Sequence, residues 1–163
     1  MRSRTMRIGV AVAIMAVAPP LFAHEPAAAA AHSSKLPAAA RGAAATVDAF
    51  HAALHRGDTN SAAALLADDA LIFESGGVER SKAEYSAHHL PADAEFSAAV
   101  QSVVSDRAGN SDGTIAWIAS EGRTTGTFHG KALDLVTTET MLLRRNGNAW
   151  KIVHIHWSSE TKR

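Results

Sequence analysis

Cysteine is absent from this chain of 163 residues, and several other features are missing or scarce. Without cysteine the protein can form neither a disulfide nor a lipid-modified cysteine anchor, so its core alone must hold the fold together. Lysine and arginine balance aspartate and glutamate, which leaves no basic stripe of the kind that binds nucleic acid. We therefore expect an ordinary globular domain without a nucleic-acid partner.

A secretory signal peptide is predicted over residues 1–23. A basic start precedes an apolar run, residues 8–18, that is too short to span a bilayer. We expect cleavage after Ala23; cleavage after Ala18 fits the small-residue rule better but places a proline beside the cut. Because the removed segment carries three arginines and no acid, the mature protein has three net negative charges. We expect it to be periplasmic or secreted, with no membrane anchor.

Composition divides the rest of the chain into three parts. Residues 24–41 are mostly alanine, proline and serine, and they cannot bury enough apolar surface to offset the entropy of ordering. We predict that they form a disordered tether. Residues 42–159 have the size and composition of one domain, and residues 160–163 form a short tail.

Helical patterns come first in this domain, and strand patterns follow. Apolar residues at helical spacing predict a helix over residues 46–54, and Asp58 or Thr59 can cap a second helix. The capping box Ser81-Lys82-Ala83-Glu84 begins a third helix, which Pro91 kinks or replaces with a new turn. Strands are predicted over residues 70–74, 100–104, 114–127, 133–145 and 149–158, separated by turns such as 75–77, 106–110, 129–130 and Asn146-Gly147-Asn148.

The closing strand carries two histidines spaced i, i+2. Successive side chains on a strand point to opposite faces, so His154 and His156 should share a face with Ile152. The other face would then carry Val153, Ile155 and Trp157. Because both faces are largely apolar, we expect this strand to be buried on both sides, where two imidazoles need polar partners, water, metal or a ligand.

The order of these motifs resembles the nuclear transport factor 2-like superfamily. The helix, Gly57-Asp58, the second helix and Leu66-Ala67-Asp68-Asp69-Ala70 look like its opening. The stretch from Asn146 to Ser158 looks like the last hairpin of its SnoaL-like branch, and the kinase association domain ends similarly. The resemblance implies an α+β fold, a cone-shaped curved antiparallel β-sheet packed on three N-terminal helices. It also implies a homodimer formed through the sheet.

Members of this superfamily include isomerases, cyclases, dehydratases, ligand binders and oligomerisation modules, so the fold does not fix the function. Its isomerases use an aspartate base with a tyrosine and a protonated acid, a triad that cannot be placed in this sequence. If the domain is an enzyme, we expect His154 or His156 as base, Glu139 as its partner, and Tyr85 or His88 as hydrogen-bond donor. Burial among apolar neighbours would raise the pKa of Glu139.

Several other residues are candidates for the pocket. The ligand-binding candidates are His88, His89, Glu74, Trp117 and Arg123. Adjacent helical residues diverge by about 100°, so only one of the two helix-terminal histidines can easily point into the cone. The alternative for Glu139 is an ion pair with Arg123 or Lys131 across the sheet.

A metal site is the alternative to a cofactor-free pocket. Two or three histidines with Glu74 or Glu139 would suit zinc or copper in an exported protein. No compact metal motif such as His-Glu-x-x-His is present, so we expect no cofactor, with zinc or copper as the exception.

The sequence therefore predicts an exported domain that binds a small molecule in a conical pocket lined by histidines and carboxylates. Whether it is also an isomerase, a dehydratase or a hydrolase-type enzyme is left open. Two alternatives are a non-catalytic dimerisation or scaffold module, in which the two histidines pack the interface, and a periplasmic zinc- or copper-binding protein.

Overall fold

The computed structural model describes residues 36–162, in which helices precede strands as the sequence predicts. The predicted signal peptide lies outside the described residues, as do residues 24–35 and Arg163. The helices are α1 (Arg41–His55), α2 (Thr59–Leu65), α3 (Lys82–Ala87) and α4 (Leu90–Ala99). The strands are β1 (Leu66–Glu74), β2 (Gly77–Glu79), β3 (Val100–Ser111), β4 (Ile115–Phe128), β5 (Lys131–Asn146) and β6 (Ala149–Thr161).

The end of the predicted tether belongs to the domain. Ala38–Ala40 form a single 3₁₀ turn that leads directly into α1. Ala40 is fully buried, and Leu36 packs against the core. The domain therefore begins before residue 42, the boundary that composition predicts, because small alanines fit closely against the sheet.

The N-terminal helices follow the predicted signals. Val47, Phe50 and Leu54 of α1 are buried, as their helical spacing requires. Gly57 has a φ of 70° and ends the helical path, and the Asp58 side chain accepts a hydrogen bond from the Ser61 amide at 3.0 Å to cap α2. The predicted cap is confirmed.

The capping box is also confirmed, but the third helix is shorter than predicted. The Glu84 amide donates to Ser81 Oγ at 3.0 Å, and the Glu84 side chain accepts from the Arg80 amide at 2.6 Å. The helix ends at Ala87, and Pro91 lies in the first turn of a separate helix, α4. Proline is tolerated there because an N–H group in the first turn of a helix has no intrahelical acceptor, so the absence of one costs no hydrogen bond. The three predicted helices are therefore four.

The strands form one curved, unclosed sheet in the order β2-β1-β6-β5-β4-β3. The predicted cone of sheet packed on N-terminal helices is confirmed, but the sheet is mixed rather than wholly antiparallel. Strand β1 runs parallel to β6, and every other neighbouring pair is antiparallel. The last strand therefore lies inside the sheet, between the first strand and β5.

Residues 106–110, predicted as a turn, continue β3. They pair with β4 through Ser111, after a bulge between Val104 and Asp106. Gly109 permits this pairing, because a Cβ there would lie 2.8 Å from the Trp117 carbonyl oxygen. The local turn signal was overridden by hydrogen bonds to a neighbouring strand.

A second bulge interrupts the closing strand. Leu142 pairs with His154, but Leu143 pairs with Ile152, so Val153 is an extra residue without a partner of its own. The bulge reverses the alternation of faces beyond it. Ile152 and Ile155 therefore both face the core, and the prediction that the two histidines share a face with Ile152 is wrong.

The helices cover one face of the sheet, which we call the inner face, and leave the other, the outer face, uncovered. The largest side chains with essentially no exposure are Val47, Phe50, Leu66, Ile72, Tyr85, Leu90, Ile118, Met141, Leu143, Ile152 and Ile155. His156 is exposed, so the closing strand is not buried on both sides. Over residues 36–162, no helix combines the length and hydrophobicity needed to cross a membrane.

Candidate active site on the inner face

Five side chains form a row across the inner face of the sheet. Glu74 of β1 pairs with Trp157 of β6, and Trp157 pairs with Glu139 of β5. Glu139 pairs with Ser120 of β4, and Ser120 pairs with Arg107 of β3. Neighbouring strands lie about 4.8 Å apart, so these residues are immediate neighbours across the sheet. We call them the inner row.

Glu139 is the centre of this row and is bonded to the helical layer. Its Oε2 lies 2.7 Å from Nε2 of His51, on α1. The indole N–H of Trp157 donates to the same oxygen at 2.7 Å. Glu139 is only 9% exposed, whereas the His51 side chain is 41% exposed. A buried carboxylate therefore orients an imidazole that solvent and ligands can reach.

The charges around Glu139 keep it ionised. Burial alone raises the pKa of its carboxyl, but the hydrogen bond and charge of His51 lower it, with smaller contributions from Trp157 and Arg107. The net shift is below the ordinary value. The prediction that burial would raise this pKa is wrong, because it did not include the partner on α1.

The second oxygen of Glu139, Oε1, is buried and has no hydrogen-bond partner among residues 36–162. A buried charged acceptor without a donor is costly, and such groups in native proteins are commonly functional.

Arg107 places a positive charge at the β3 end of the inner row. Its Nε donates to Ser120 Oγ at 3.1 Å, and its Nη1 donates to Asp48 of α1 at 2.6 Å. Asp48 is exposed, while the Arg107 side chain is mostly buried. The guanidinium therefore links the helix to the sheet and stabilises the negative charge of Glu139.

A second polar cluster adjoins the β1 end of the inner row. The fully buried Tyr85 donates its hydroxyl hydrogen to Asp93 Oδ2 at 2.6 Å. Burial raises the pKa of Asp93, although Tyr85 and His89 oppose the shift. Burial and the nearby Asp93 likewise raise the pKa of Glu74. We call Glu74, Tyr85, His89 and Asp93 the Tyr85 cluster.

Trp157 connects the two sets of polar residues. Its ring stacks on Phe50 with a centroid distance of 6.3 Å and lies 6.5 Å from the ring of Tyr85. On one side of it are an ionised carboxylate and an imidazole; on the other are carboxyls whose pKa values are raised. An accessible base on one side and carboxyls that hold their protons more tightly on the other are the components of general acid–base chemistry.

The histidines predicted as bases, His154 and His156, lie on the outer face. His154 Nδ1 donates to the Leu71 carbonyl oxygen at 2.8 Å. Both rings contact Phe73 edge-on, at centroid distances of 5.1 and 6.2 Å. The structure therefore does not bring them together with Glu139, because the bulge at Val153 turns Trp157 rather than His156 towards the core.

Two of the predicted ligand-binding residues also lie on the outer face. Trp117 pairs in register with Leu142 there and is 42% exposed. Arg123 makes two hydrogen bonds of 2.6 Å to Asp134, which rules out the predicted alternative of an Arg123–Glu139 pair. Neither residue reaches the inner row.

The remaining predicted residues differ in how close they lie to the inner row. Tyr85 and Glu74 have the positions described above. Of the two helix-terminal histidines, His89 forms an ion pair with the buried Glu79, whereas His88 is exposed at the end of α3. Within residues 36–162, no three or more histidine, aspartate or glutamate side chains are grouped so that they could hold a metal ion.

Sequence reasoning missed three residues of the site, namely His51, Asp93 and Arg107. His51 carried a usable signal, since it lies one turn from both Val47 and Leu54 on an amphipathic helix and borders the buried face. Arg107 gave none, because its segment has the composition of a turn. Asp93 looked like an ordinary first-turn acid.

A sequence profile of the SnoaL-like domain family matches residues 43–161. Among solved structures, a candidate ketosteroid isomerase from Shewanella frigidimarina NCIMB 400 is 34% identical, with a TM-score of 0.71, and the match covers 76% of this chain and 100% of that one. A candidate calcium/calmodulin-dependent protein kinase II association domain from Xanthomonas campestris is 25% identical, with a TM-score of 0.65 and coverages of 80% and 96%. A candidate dehydratase of the NTF2-like family from Streptomyces avermitilis is 18% identical, with a TM-score of 0.61 and coverages of 75% and 96%, and this likeness concerns the fold alone. No protein of curated function matches.

Proposed function

The chain belongs to the SnoaL-like domain family, and from that premise we propose that it is an exported acid–base enzyme acting on a small organic molecule. The reaction class we propose is proton abstraction next to a carbonyl group, as in an isomerase or a dehydratase. The observation that carries the proposal is the contact of the accessible His51 with the buried, ionised Glu139. The name of one similar structure, a candidate ketosteroid isomerase, agrees with this class.

His51 is the proposed base. Glu139 accepts a hydrogen bond from Nε2–H of the neutral ring, which leaves the lone pair on Nδ1 to take a proton from a ligand. After the transfer, the carboxylate stabilises the imidazolium by charge. Imidazole is the side chain whose ordinary pKa suits proton transfer near neutral pH.

The other polar groups supply binding and proton donation. Trp157 provides an apolar, aromatic wall. Tyr85 is fully buried and committed to Asp93, so we assign it to holding the Asp93 carboxyl in place. Burial raises the pKa of both Asp93 and Glu74, so we assign proton donation to the carboxyls of the Tyr85 cluster.

Deuterium exchange tests the reaction class across a range of carbonyl compounds. A panel of β,γ-unsaturated and β-hydroxy ketones, including a 3-ketosteroid, is incubated with the protein in D₂O, and proton NMR follows the hydrogens next to the carbonyl. We expect enzyme-dependent exchange for at least one compound, and a loss of at least about 100-fold in His51→Ala, since a positioned base contributes about 10²–10⁴-fold.

His55 supplies the matched control, because it is another exposed histidine on the same helix. The variant His55→Ala should retain the exchange activity. If no carbonyl compound in the panel exchanges, or if His51→Ala is as active as the original protein, the proposed reaction is wrong. Secretion into the periplasm, detected by N-terminal sequencing of the mature protein, tests export separately.

A second candidate function is supported by the outer face. Several large apolar side chains are exposed there, including Trp117, Val136 and Leu142, at 42%, 48% and 36%. A groove of about 510 Å³ opens on the same side, lined by Val136, Thr138 and residues 158–162. Exposed apolar patches of this kind favour association, so we propose a homodimer formed through the sheet, and a scaffold role if no reaction is found. Sedimentation velocity of Trp117→Glu should show a monomer, and an unchanged dimer would contradict this interface.

A further inference from the structure

Helix α1 reaches the inner row with a second polar side chain besides His51. Asp48 lies three residues before His51, so both side chains project from the same side of the helix. Asp48 accepts a hydrogen bond from Arg107 at 2.6 Å, two strands away from the contact between His51 and Glu139. We propose that the ion pair of Asp48 and Arg107 positions His51, by fixing where α1 lies on the sheet. The proposal rests on the proposed function, in which His51 is the base.

The sheet orients Arg107 towards the helix. The Nε of Arg107 donates to Ser120 Oγ at 3.1 Å, and Ser120 is only 8% exposed. Because the guanidinium is planar, this bond also fixes the direction of Nη1, which donates to Asp48. A lysine ammonium has no such fork of donors. The inner row therefore presents an arginine to α1 in one defined direction.

The spacing of the two contacts restrains α1 both along its axis and across the sheet. Along the helix, Asp48 and His51 are about 4.5 Å apart, because each residue rises about 1.5 Å. Across the sheet, β3 and β5 are about 9.6 Å apart, twice the distance between neighbouring strands. A single polar contact would leave the helix free to turn about it. Two separated contacts oppose both turning and sliding.

The apolar contacts of α1 supply attraction but little direction. The buried residues of the helix are Ala43, Ala44, Val47, Phe50, Ala53 and Leu54. Half of them are alanines, and hydrophobic attraction is itself non-directional. A charge-assisted hydrogen bond, in contrast, requires a defined geometry. Loss of the ion pair should therefore displace His51 without unfolding the domain, and a displacement of about 1 Å can lower a rate by about 100-fold.

The charged groups near Glu139 belong to two elements. His51 lies on α1 and Arg107 on β3, and both lower the pKa of Glu139 against the effect of burial. The neighbours of Glu139 on β4 and β6 are Ser120 and Trp157, which carry no charge. The pKa of Glu139 therefore reports on its contacts with α1 and β3.

This pKa distinguishes positioning from a simple effect of charge. In Asp48→Ala a negative charge is removed, which favours the carboxylate of Glu139, so charge alone lowers the pKa further. If the helix moves instead, Glu139 loses the hydrogen bond and charge of His51, which are the largest effects that oppose burial. The pKa then rises. The two explanations predict opposite signs.

The test is a ¹³C NMR titration of Glu139 in the full chain. We expect the pKa to rise in Asp48→Ala while the melting temperature stays almost the same, because exposed ion pairs add little stability and alanine favours a helix. Asp48→Asn keeps an oxygen that can accept from Arg107, so it should give a smaller rise. A pKa that falls or stays constant in Asp48→Ala, or equal changes in the two variants, would overturn the proposal.

Arg107→Lys tests the other partner of the ion pair. The variant keeps the positive charge but loses the planar fork, so it should raise the pKa of Glu139 as Asp48→Ala does. An unchanged pKa in a folded Arg107→Lys protein would contradict the positioning role. Asp48 is exposed, so its variants decide the question if Arg107→Lys does not fold.

Asp69→Ala is the matched control. Asp69 is 65% exposed, against 63% for Asp48, and it also pairs with an arginine of the sheet, Arg144, at 2.8 Å. It lies on β1 rather than on α1. Its replacement by alanine removes the same charge and breaks the same kind of ion pair. The pKa of Glu139 should not change in this variant.

The exchange assay gives a second measurement. Asp48→Ala should lower kcat for the exchanging carbonyl compound at least about tenfold with KM unchanged, because the substrate still binds while the base is misplaced. A kcat equal to that of the original protein would contradict the proposal. If no compound exchanges, the proposed reaction is wrong, but the pKa of Glu139 still decides whether Asp48 positions His51. The two failures are therefore distinguishable.

Discussion

Removing the His51 side chain should destabilise the fold, because the buried Glu139 carboxylate then lacks one of its hydrogen-bond partners. In His51→Ala, Glu139 keeps its hydrogen bond from Trp157 but loses the imidazole at 2.7 Å. A hydrogen bond to a charged group is worth about 1.5–3 kcal/mol. The His51 side chain is 41% exposed, and solvent screening reduces this contribution. We therefore expect a loss of about 1–2 kcal/mol in the free energy of unfolding at pH 7.

The change should depend on the charge of Glu139. In a Glu139→Gln background no carboxylate remains to be stranded, so removing His51 should cost less, and the double-mutant cycle should give a coupling energy of about 1 kcal/mol. Urea denaturation followed by circular dichroism measures each corner of the cycle. With about 4 °C per kcal/mol for a domain of this size, the melting temperature of His51→Ala should fall by about 4–8 °C.

The same pair predicts a pH dependence. The pKa of Glu139 is lowered in the folded protein, so its stabilising contribution is complete above the ordinary value of 4.5 and is lost as the pH falls through the folded value. In His51→Ala the pKa of Glu139 should rise, because burial is then opposed mainly by Trp157; ¹³C NMR of the carboxyl group measures this. A coupling energy within about 0.5 kcal/mol of zero, or an unchanged pKa, would refute the reasoning.

Three further predictions concern the scaffold and the second cluster. Gly109→Ala should lower the free energy of unfolding by about 1–3 kcal/mol, because the new Cβ would meet the Trp117 carbonyl oxygen at 2.8 Å; an unchanged urea midpoint would show that β3 can move away. Ser81→Ala should cost about 1 kcal/mol through loss of the α3 cap, whereas Ser86→Ala on the same helix should cost clearly less, and equal losses would exclude a capping effect. Because the pKa of Asp93 is raised in the folded protein, ionisation of Asp93 lowers the free energy of unfolding as the pH rises from 3.8, its ordinary pKa, through its folded pKa. The variant Asp93→Asn should therefore flatten this part of the curve of stability against pH. An identical curve in the variant would contradict the shift.

The sequence predicted well wherever the signal was local. The capping box at Ser81, the cap at Asp58 and the Asn146-Gly147 turn were all placed correctly, because each depends on a few neighbouring residues. Gly147 has the positive φ, 60°, that this turn needs. The family resemblance supplied the cone and its helical layer.

The candidate site was harder to predict because it depends on register between strands. Strict alternation along β6 would place His154 on the inner face, together with Ile152. The single unpaired residue Val153 shifts the register, so that His154 lies on the outer face instead. Arg107 reaches the inner row only because pairing with β4 continues β3 through a segment whose residues resemble a turn. Neither effect can be recognised in the residues themselves, since each is decided by a neighbouring strand that lies elsewhere in the chain.

The central place of β6 also constrains the order in which the molecule can form. Strand β6 inserts between β1 and β5, so neither neighbour can complete its pairing before β6 has been synthesised. A chain that stopped before Ala149 would leave two incomplete sheet edges, and such unpaired edges are prone to aggregate.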